Sequence, residues 1–285
     1  MSTKKLTVLD KLDNRVLQLP PERTSDRQWT NLREHDIKER WDPTIAPWVA
    51  AEHAARIDHA LGIIKAYCEL PARVIDVGCA QGTLGHLLAE LGFDVTLVDV
   101  RPSHIAYARA RAVLPTNVKY CVGMVPAVPR RDDFDMVICT EVIEHTPAPR
   151  ELIDGLRQKC KLGGLVYLTT PNGAYKFSGL PTYTGVSNDV LVAMEVNSDD
   201  GDDHRFAYTL NELIAVVRSA GLSIREAGIF LPFWIVGYAK TKSFHRLNMA
   251  LTGRPIRHYP QRSQRSSLSQ AVGTSLYIVA EKVKD

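Results

Sequence analysis

No stretch of this 285-residue chain approaches the roughly 18 consecutive apolar residues of a membrane span. The N-terminal Met1-Ser-Thr-Lys-Lys-Leu6 also lacks an apolar core of signal-peptide length, so neither a span nor a secretory leader is expected. The cysteines (Cys68, Cys79, Cys121, Cys139 and Cys160) are scattered without a C-x-x-C pair. That excludes a zinc knuckle or disulfide frame and suits reduced packing residues in a cytoplasmic protein. Internal repeats are missing too. With a formal net charge of only +3, the chain lacks the strongly basic character of a broad nucleic-acid binder. What remains, 45% hydrophobic and 24% charged residues, is the composition of one enlarged globular domain with a full core.

Residues 1–42 are charged and polar, with Trp29 and Trp41 as large anchors, and read as an N-terminal arm or cap ahead of a main domain over 43–285. From Ala46 to Cys68 the pattern is helical, with Ile57, Leu61, Ile64 and Cys68 on one face. Strands are expected near 73–77, 94–99, 118–122, 134–140 and 164–170, with helices near 82–91, 102–113 and 148–160 between them. A last helix near 209–220 leads to strands near 223–229 and 275–283. Such alternation implies an α/β fold whose parallel sheet carries helices on both faces.

The densest signal is Val74-Ile-Asp-Val-Gly-Cys-Ala-Gln-Gly-Thr-Leu-Gly85, followed by Thr96-Leu-Val-Asp-Val100. An apolar run that breaks into Gly78, Gly82 and Gly85 reads as a strand, a tight turn and a helix start, with backbone open to close approach by a ligand. Asp99 lies 23 residues after Asp76, at the end of the next strand, where a carboxylate can accept from both hydroxyls of a ribose. A dinucleotide needs G-x-G-x-x-G; here the spacing from Gly78 to Gly82 is four, and Asp76 would repel a pyrophosphate. A cofactor with a cationic amino-acid end fits better.

This D-V-G-C-x-x-G sequence resembles motif I of the class I S-adenosylmethionine (SAM) methyltransferases. The resemblance implies a Rossmann-like, doubly wound, seven-stranded, mostly parallel sheet with an antiparallel last strand. It also implies SAM as cofactor, bound by Asp76, Gly78, Cys79, Ala80, Gln81, Gly82, Asp99, Val100, Met124, Val125 and Thr140. Met124 stands near the slot where the family commonly has an adenine-binding aspartate, so apolar packing and backbone groups are expected to hold the base. Leu162-Gly-Gly-Leu-Val-Tyr-Leu-Thr-Thr-Pro-Asn172 resembles the loop and fifth strand of these enzymes, without their usual proline before the glycine pair.

Phe134-Asp-Met-Val-Ile-Cys-Thr140 runs straight into Glu141-Val-Ile-Glu-His145, and ligands of open α/β sheets bind at the carboxyl ends of strands. A helical turn beginning at Glu141 would place Glu141, Glu144 and His145 on one face. Two carboxylates and an imidazole at short range need protons or a cation, and two oxygens with one nitrogen suit Mg2+ or Mn2+ better than zinc. In Asp199-Asp-Gly-Asp-Asp-His-Arg-Phe206, His204 is a fourth candidate, and Thr209 with Glu212 reads as a capping box opening the last helix. E-x-x-E-H plus D-H-R-F resembles the metal-binding motifs of small-RNA 3′-terminal 2′-O-methyltransferases. E-x-x-E-H alone is similar to the ubiquinone-biosynthesis O-methyltransferases and to relatives acting on sugars and natural products. These resemblances imply Glu141, Glu144, His145 and His204 as metal ligands, with Glu144 and His145 catalytic. Without metal, His145 would serve as general base. The other seven histidines show no paired spacing with acids and are expected on the surface or on helix faces.

A segment over about 230–272 opens with Phe230-Leu-Pro-Phe-Trp-Ile-Val-Gly-Tyr238 and continues through Lys240, Lys242, Arg246, Arg254, Arg257, Arg262 and Arg265 without one acidic residue. Such a patch suits an anionic membrane surface, a lipid-linked glycan or RNA, and equally a solvated basic face; Ser263 to Ser269 reads as a lid. The expected protein is a metal-assisted, SAM-dependent O-methyltransferase acting on a hydroxyl of a sugar-like or other small biosynthetic substrate. Methylation of an RNA 3′ end and a non-catalytic SAM-binding partner protein stay open. The expected location is cytoplasmic, with peripheral membrane contact through the 240–265 segment left open.

Overall fold

The structure, a computed structural model, describes residues 16–23, 25–42, 44–113, 117–125, 128, 133–176, 178–187, 189, 204, 206–232 and 273–284. The basic 240–265 segment, Ser263 to Ser269 and the acidic run 199–203 lie outside the described residues.

The chain runs from α1 (Arg27–Asp36) through a π-helical turn (Ile37–Trp41) and α2 (Pro47–Tyr67) into β1 (Arg73–Val77) and α3 (Thr83–Glu90). It continues through β2 (Asp94–Asp99), α4 (Pro102–Arg111), β3 (Val118–Val122) and β4 (Phe134–Thr140). A 3-10 turn (Ile143–His145) and α5 (Pro149–Lys159) lead to β5 (Cys160–Pro171), then α6 (Leu210–Ser219), β6 (Leu222–Pro232) and β7 (Gly273–Lys282). The seven strands form one sheet in the order β3-β2-β1-β4-β5-β7-β6. Parallel pairing sets Ile75 opposite Val137 and Val137 opposite Val166, whereas β7 runs antiparallel to both neighbours, with Ile278 opposite Leu168 and Ala227. The expected mostly parallel, doubly wound sheet is therefore present. Its central strands are apolar runs because both faces are covered: Val74, Ile75 and Met136 to Cys139 have no exposed surface.

Among the described residues, those up to Ala72 together with Cys79–Gly123 form one compact unit, and Arg73–Gly78 with the residues from Met124 onward form the other. In the first, α2 buries Ile57, Leu61 and Ile64 as its spacing requires. Residues 16–41 dock along α4. Leu17 makes an antiparallel bridge to Ala112, Gln18 N–H donates to Arg111 O at 2.8 Å, and Val113 N–H donates to Val16 O at 3.0 Å. Asp26 caps α1 by accepting from Trp29 N–H, and the fully buried Trp29 ring meets Tyr107 edge-on, 5.0 Å between centroids.

In the second unit, β4 lies between β1 and β5, and α6 opens on the expected capping box. Thr209 Oγ1 accepts from Glu212 N–H and the Glu212 carboxylate accepts from Thr209 N–H. No disulfide joins the cysteines, and no helix among the described residues is long and apolar enough to cross a membrane.

Candidate functional site

The chemistry gathers where β4 ends. The ladder to β5 runs one residue beyond Thr140, with Glu141 N–H donating to Thr169 O at 3.0 Å, and the chain then turns through Glu141 with φ of +55°. A glutamate in that left-handed region is uncommon, and it prevents a helical turn from beginning there. The helical turn is instead the short Ile143–His145 segment, anchored by the fully buried Ile143. The i, i+3, i+4 face expected of Glu141, Glu144 and His145 is therefore not formed. Glu141 turns to the strand side, accepting at Oε1 from Thr169 Oγ1 at 2.8 Å.

Glu144, with no exposed surface, accepts at Oε2 from Thr170 Oγ1 at 2.9 Å. Its Oε1 lies 4.0 Å from His145 Nε2 and 3.7 Å from His204 Nε2. The two imidazoles lie 4.9 Å apart, centre to centre, and one donor atom from each of Glu144, His145 and His204 falls within 4.8 Å of the others. Both carboxylate–imidazole separations exceed hydrogen-bond length, so the three groups converge on a shared volume without closing on one another. His145 and His204 are partly open to solvent, at 24% and 40% of their side-chain surface, while the carboxylate is sealed.

His204 owes its position to the chain just after it. Residues 206–208 thread between two segments: Gly173 N–H donates to Tyr208 O at 2.7 Å, Ala207 N–H to Pro181 O at 3.0 Å and Tyr183 N–H to Ala207 O at 2.9 Å. Tyr183 stacks on Tyr208 at 5.0 Å, and Phe206 closes the cluster edge-on at 5.4 Å. Burial raises the Tyr208 phenol pKa, and the nearby Tyr183 and Glu144 raise it further, so the group stays protonated. Cys139, behind the site, is likewise held as the thiol by burial and by the Glu144 and Asp76 carboxylates, which removes it as a nucleophile.

In the first unit the glycine-rich loop has the shape its sequence requires. Ala80 and Gly82 both have positive φ, Gly82 N–H donates to Cys79 O at 2.7 Å, and Cys79 N–H donates to Val98 O at 3.1 Å. A Cβ on Gly82 would come within 2.9 Å of both His86 and Leu97. Asp99 accepts from Ala80 N–H at 3.1 Å on one oxygen and from Arg101 N–H at 3.0 Å on the other, with His104 Nδ1 3.3 Å away. Burial opposes ionisation of Asp99, but the His104 contact and the two backbone donors outweigh it and hold its pKa below the ordinary carboxylate range. Val100 follows as an exposed apolar residue, at 57%. In the second unit Asp76 is buried, Thr140 is half-buried, Val125 is buried and Met124 is 69% exposed.

Residues 49–227 match a family model described as a methyltransferase domain. The chain belongs to that methyltransferase family. The ubiquinone biosynthesis O-methyltransferase of Xanthomonas campestris pv. campestris is 35% identical over 134 residues, 44% of this methyltransferase-family chain and 56% of that protein. The protein of the same description from Hydrogenovibrio crunogenus is 32% identical over 161 residues, 55% and 64% of the two chains. This chain thus spans roughly three-fifths of the length of these curated relatives. Among solved structures, an S-adenosylmethionine-dependent methyltransferase from Mesorhizobium loti superimposes with a TM-score of 0.51 at 17% identity, covering 77% of this chain and 96% of that one.

Of the four expected ligands, three side chains are gathered and Glu141 bonds Thr169. Of the other histidines, His59, His86 and His104 stand on helices as expected but are buried, and the expected lack of acid partners needs correction, since His104 lies beside Asp99 and His53 beside Glu39. Five contributors are not singled out as site residues in the sequence: Thr169, Thr170, Tyr183, Tyr208 and His86. The first four are placed by strand register or by packing between distant segments. His86 alone carried a hint, standing four residues after Gly82, where a helical side chain reaches back to that carbonyl.

Proposed function

We propose that this protein is a SAM-dependent O-methyltransferase that positions its acceptor hydroxyl at Glu144, His145 and His204 with a divalent metal. The observation that carries this reading is the convergence of one sealed carboxylate and two partly exposed imidazoles within 4.8 Å at the end of β4. Ligand atoms about 2.1 Å from a common ion lie about 3 to 4 Å from each other, so the spacing suits a small divalent ion. The donor set is one oxygen and two nitrogens, instead of the two oxygens and one nitrogen expected from the motif. That shifts the preference from Mg2+ towards Mn2+ or another first-row ion. When bound, the metal would lower the pKa of an acceptor hydroxyl and chelate a neighbouring oxygen, which favours a sugar-like or other vicinally oxygenated small substrate.

The chain's own residues do the rest. Thr170 fixes the Glu144 carboxylate, leaving Oε1 facing the imidazoles. Without metal, His145 would instead accept the acceptor's proton, and in either case the aromatic cluster of Tyr183, Phe206 and Tyr208 holds His204 in place. SAM supplies an electrophilic methyl. The residues that would hold it, by resemblance to motif I, are Asp76, Gly78, Cys79, Ala80, Gln81, Gly82, Asp99, Val100, Met124, Val125 and Thr140. The shaped loop and the oriented Asp99 carboxylate support that assignment. The O-methylation chemistry of the matched relatives points the same way.

The test is methyl transfer from labelled SAM to a panel of vicinal diols, catechols and RNA 3′ ends, with chelator and with metal restored. Glu144→Ala and His145→Ala should lower kcat by at least about a hundredfold while S-adenosylhomocysteine affinity stays within about twofold. Full activity in both variants would remove these residues from the mechanism, and metal-independent activity would leave His145 as a simple base.

A further inference from the structure

Arg111 is an arginine without exposed surface, and its partners all lie outside its own helix. Nη2 donates to Asp36 Oδ1 in an ion pair whose two side chains are each about 1% exposed. Nη1 donates to Gln81 O at 3.1 Å and to Thr83 Oγ1 at 2.5 Å. Asp36 takes a second hydrogen bond from Tyr107 at 2.9 Å, one helical turn before Arg111 on α4. A buried guanidinium thus joins the last residue of α1 to the glycine-rich loop and to the first residue of α3.

Two further contacts reach the same loop from the N-terminal segment. Glu39, in the π-helical turn that continues α1, accepts from Gln81 Nε2 at 3.2 Å and lies 3.3 Å from His53 Nδ1. Ala80 packs against the cluster of Trp29, Leu32 and Tyr107. Residues 80, 81 and 83 are therefore each held by residues 29–39 directly or through α4. The loop needs support of this kind. Its backbone is left-handed at Ala80 and Gly82, and the Gln81 carbonyl between them is held by no hydrogen bond of the loop's own turn, which joins Gly82 N–H to Cys79 O. Short π-helical stretches are themselves frequent at functional sites.

We propose that Asp36, Arg111 and Glu39 are positioning residues for cofactor binding, acting through the Cys79–Gly82 loop, so that residues 16–41 belong to the cofactor-binding machinery. This rests on the reading of that loop as the SAM site. Asp36 fixes the guanidinium, the guanidinium fixes the Gln81 carbonyl, and Glu39 fixes the Gln81 side chain. The loop is thereby organised before ligand arrives, and affinity is gained because less ordering remains to be done on binding.

The experiment is isothermal titration of S-adenosylhomocysteine into wild-type protein, Asp36→Asn, Arg111→Lys and Glu39→Ala. All are measured at a temperature where thermal unfolding shows each variant folded. Asp36→Asn should weaken binding at least about fivefold. Arg111→Lys should weaken it similarly, because an ammonium cannot span Asp36, Gln81 and Thr83 as the planar fork does. Glu39→Ala, at a partly exposed position, keeps the proposal testable if the buried variants fail to fold, and a rise in Kd of about threefold is expected. In turnover assays the KM for SAM should rise while acceptor KM holds, a split that a general loss of stability would not produce. Folded variants with wild-type affinity would overturn the proposal. Wild-type protein that binds no S-adenosylhomocysteine would overturn the cofactor reading on which it stands.

Discussion

At the scale of single residues, the site depends on side chains that prepare others. Thr170 Oγ1 holds Glu144, and Thr170→Val keeps the volume while leaving a sealed carboxylate one donor short. The substitution is expected to destabilise by about 1–3 kcal/mol in urea unfolding and to lower kcat, with S-adenosylhomocysteine affinity unchanged. His86 makes a different prediction. Burial, opposed by the Gly82 carbonyl contact and reinforced by Arg111, lowers its pKa from 6.5 to about 4. The neutral ring donates from Nδ1 to Gly82 O at 2.6 Å and accepts at Nε2 from Tyr120 Oη at 3.0 Å. Between those two pKa values the unfolded chain binds the extra proton, so stability is complete above pH 6.5 and declines as pH falls towards 4. The loss is on the order of 2–3 kcal/mol. Chemical denaturation across that range should show the decline, and His86→Gln should flatten it. Of these contacts only His86 with Gly82 is local enough to leave a trace in the sequence. Glu144 and Thr170 stand 26 residues apart and Asp36 and Arg111 stand 75 apart, and only strand register and helix docking bring them together.

At the scale of elements, more was legible. The strands at 73–77, 94–99, 118–122 and 134–140 follow from apolar runs ended by Gly, Asp or polar residues, and these runs form the strands observed. The capping box at Thr209 and Glu212 was readable because both partners lie within one turn. The turn at Glu141 was not readable, since nothing in a glutamate announces a φ of +55°. Its ladder bond to Thr169 extends the strand past the point where a helix could begin. The neighbouring glycine loop shows what such turns require. Gly78 has φ of +72°, and an added Cβ would lie 2.4 Å from Val142 Cγ2, just before the turn that carries Glu144 and His145. Gly78→Ala should therefore cost at least about 2 kcal/mol of stability and reduce turnover as the turn is displaced. Thermal unfolding with parallel kinetics would check both.

At the scale of the whole molecule, family membership and sheet order agree, and the site stands where an open α/β sheet presents its ligands. The motifs pointed to the end of β4, where three of the four side chains expected there, Glu144, His145 and His204, lie together, because a strand end followed by E-x-x-E-H is a local pattern. Fold alone leaves the chemistry open, since function resides in a site carried by a fold. The account therefore stands or falls on whether the sealed carboxylate and the two imidazoles hold a cation and whether the chain binds the cofactor. The deciding measurement is isothermal titration of Mn2+ and of S-adenosylhomocysteine, separately and together, into wild-type protein and His204→Ala. The account predicts S-adenosylhomocysteine binding with a Kd on the order of micromolar in both, and one Mn2+ site present in the wild type and lost in the variant. Cofactor binding with no metal site in the wild type, or with the same metal site in His204→Ala, would contradict it.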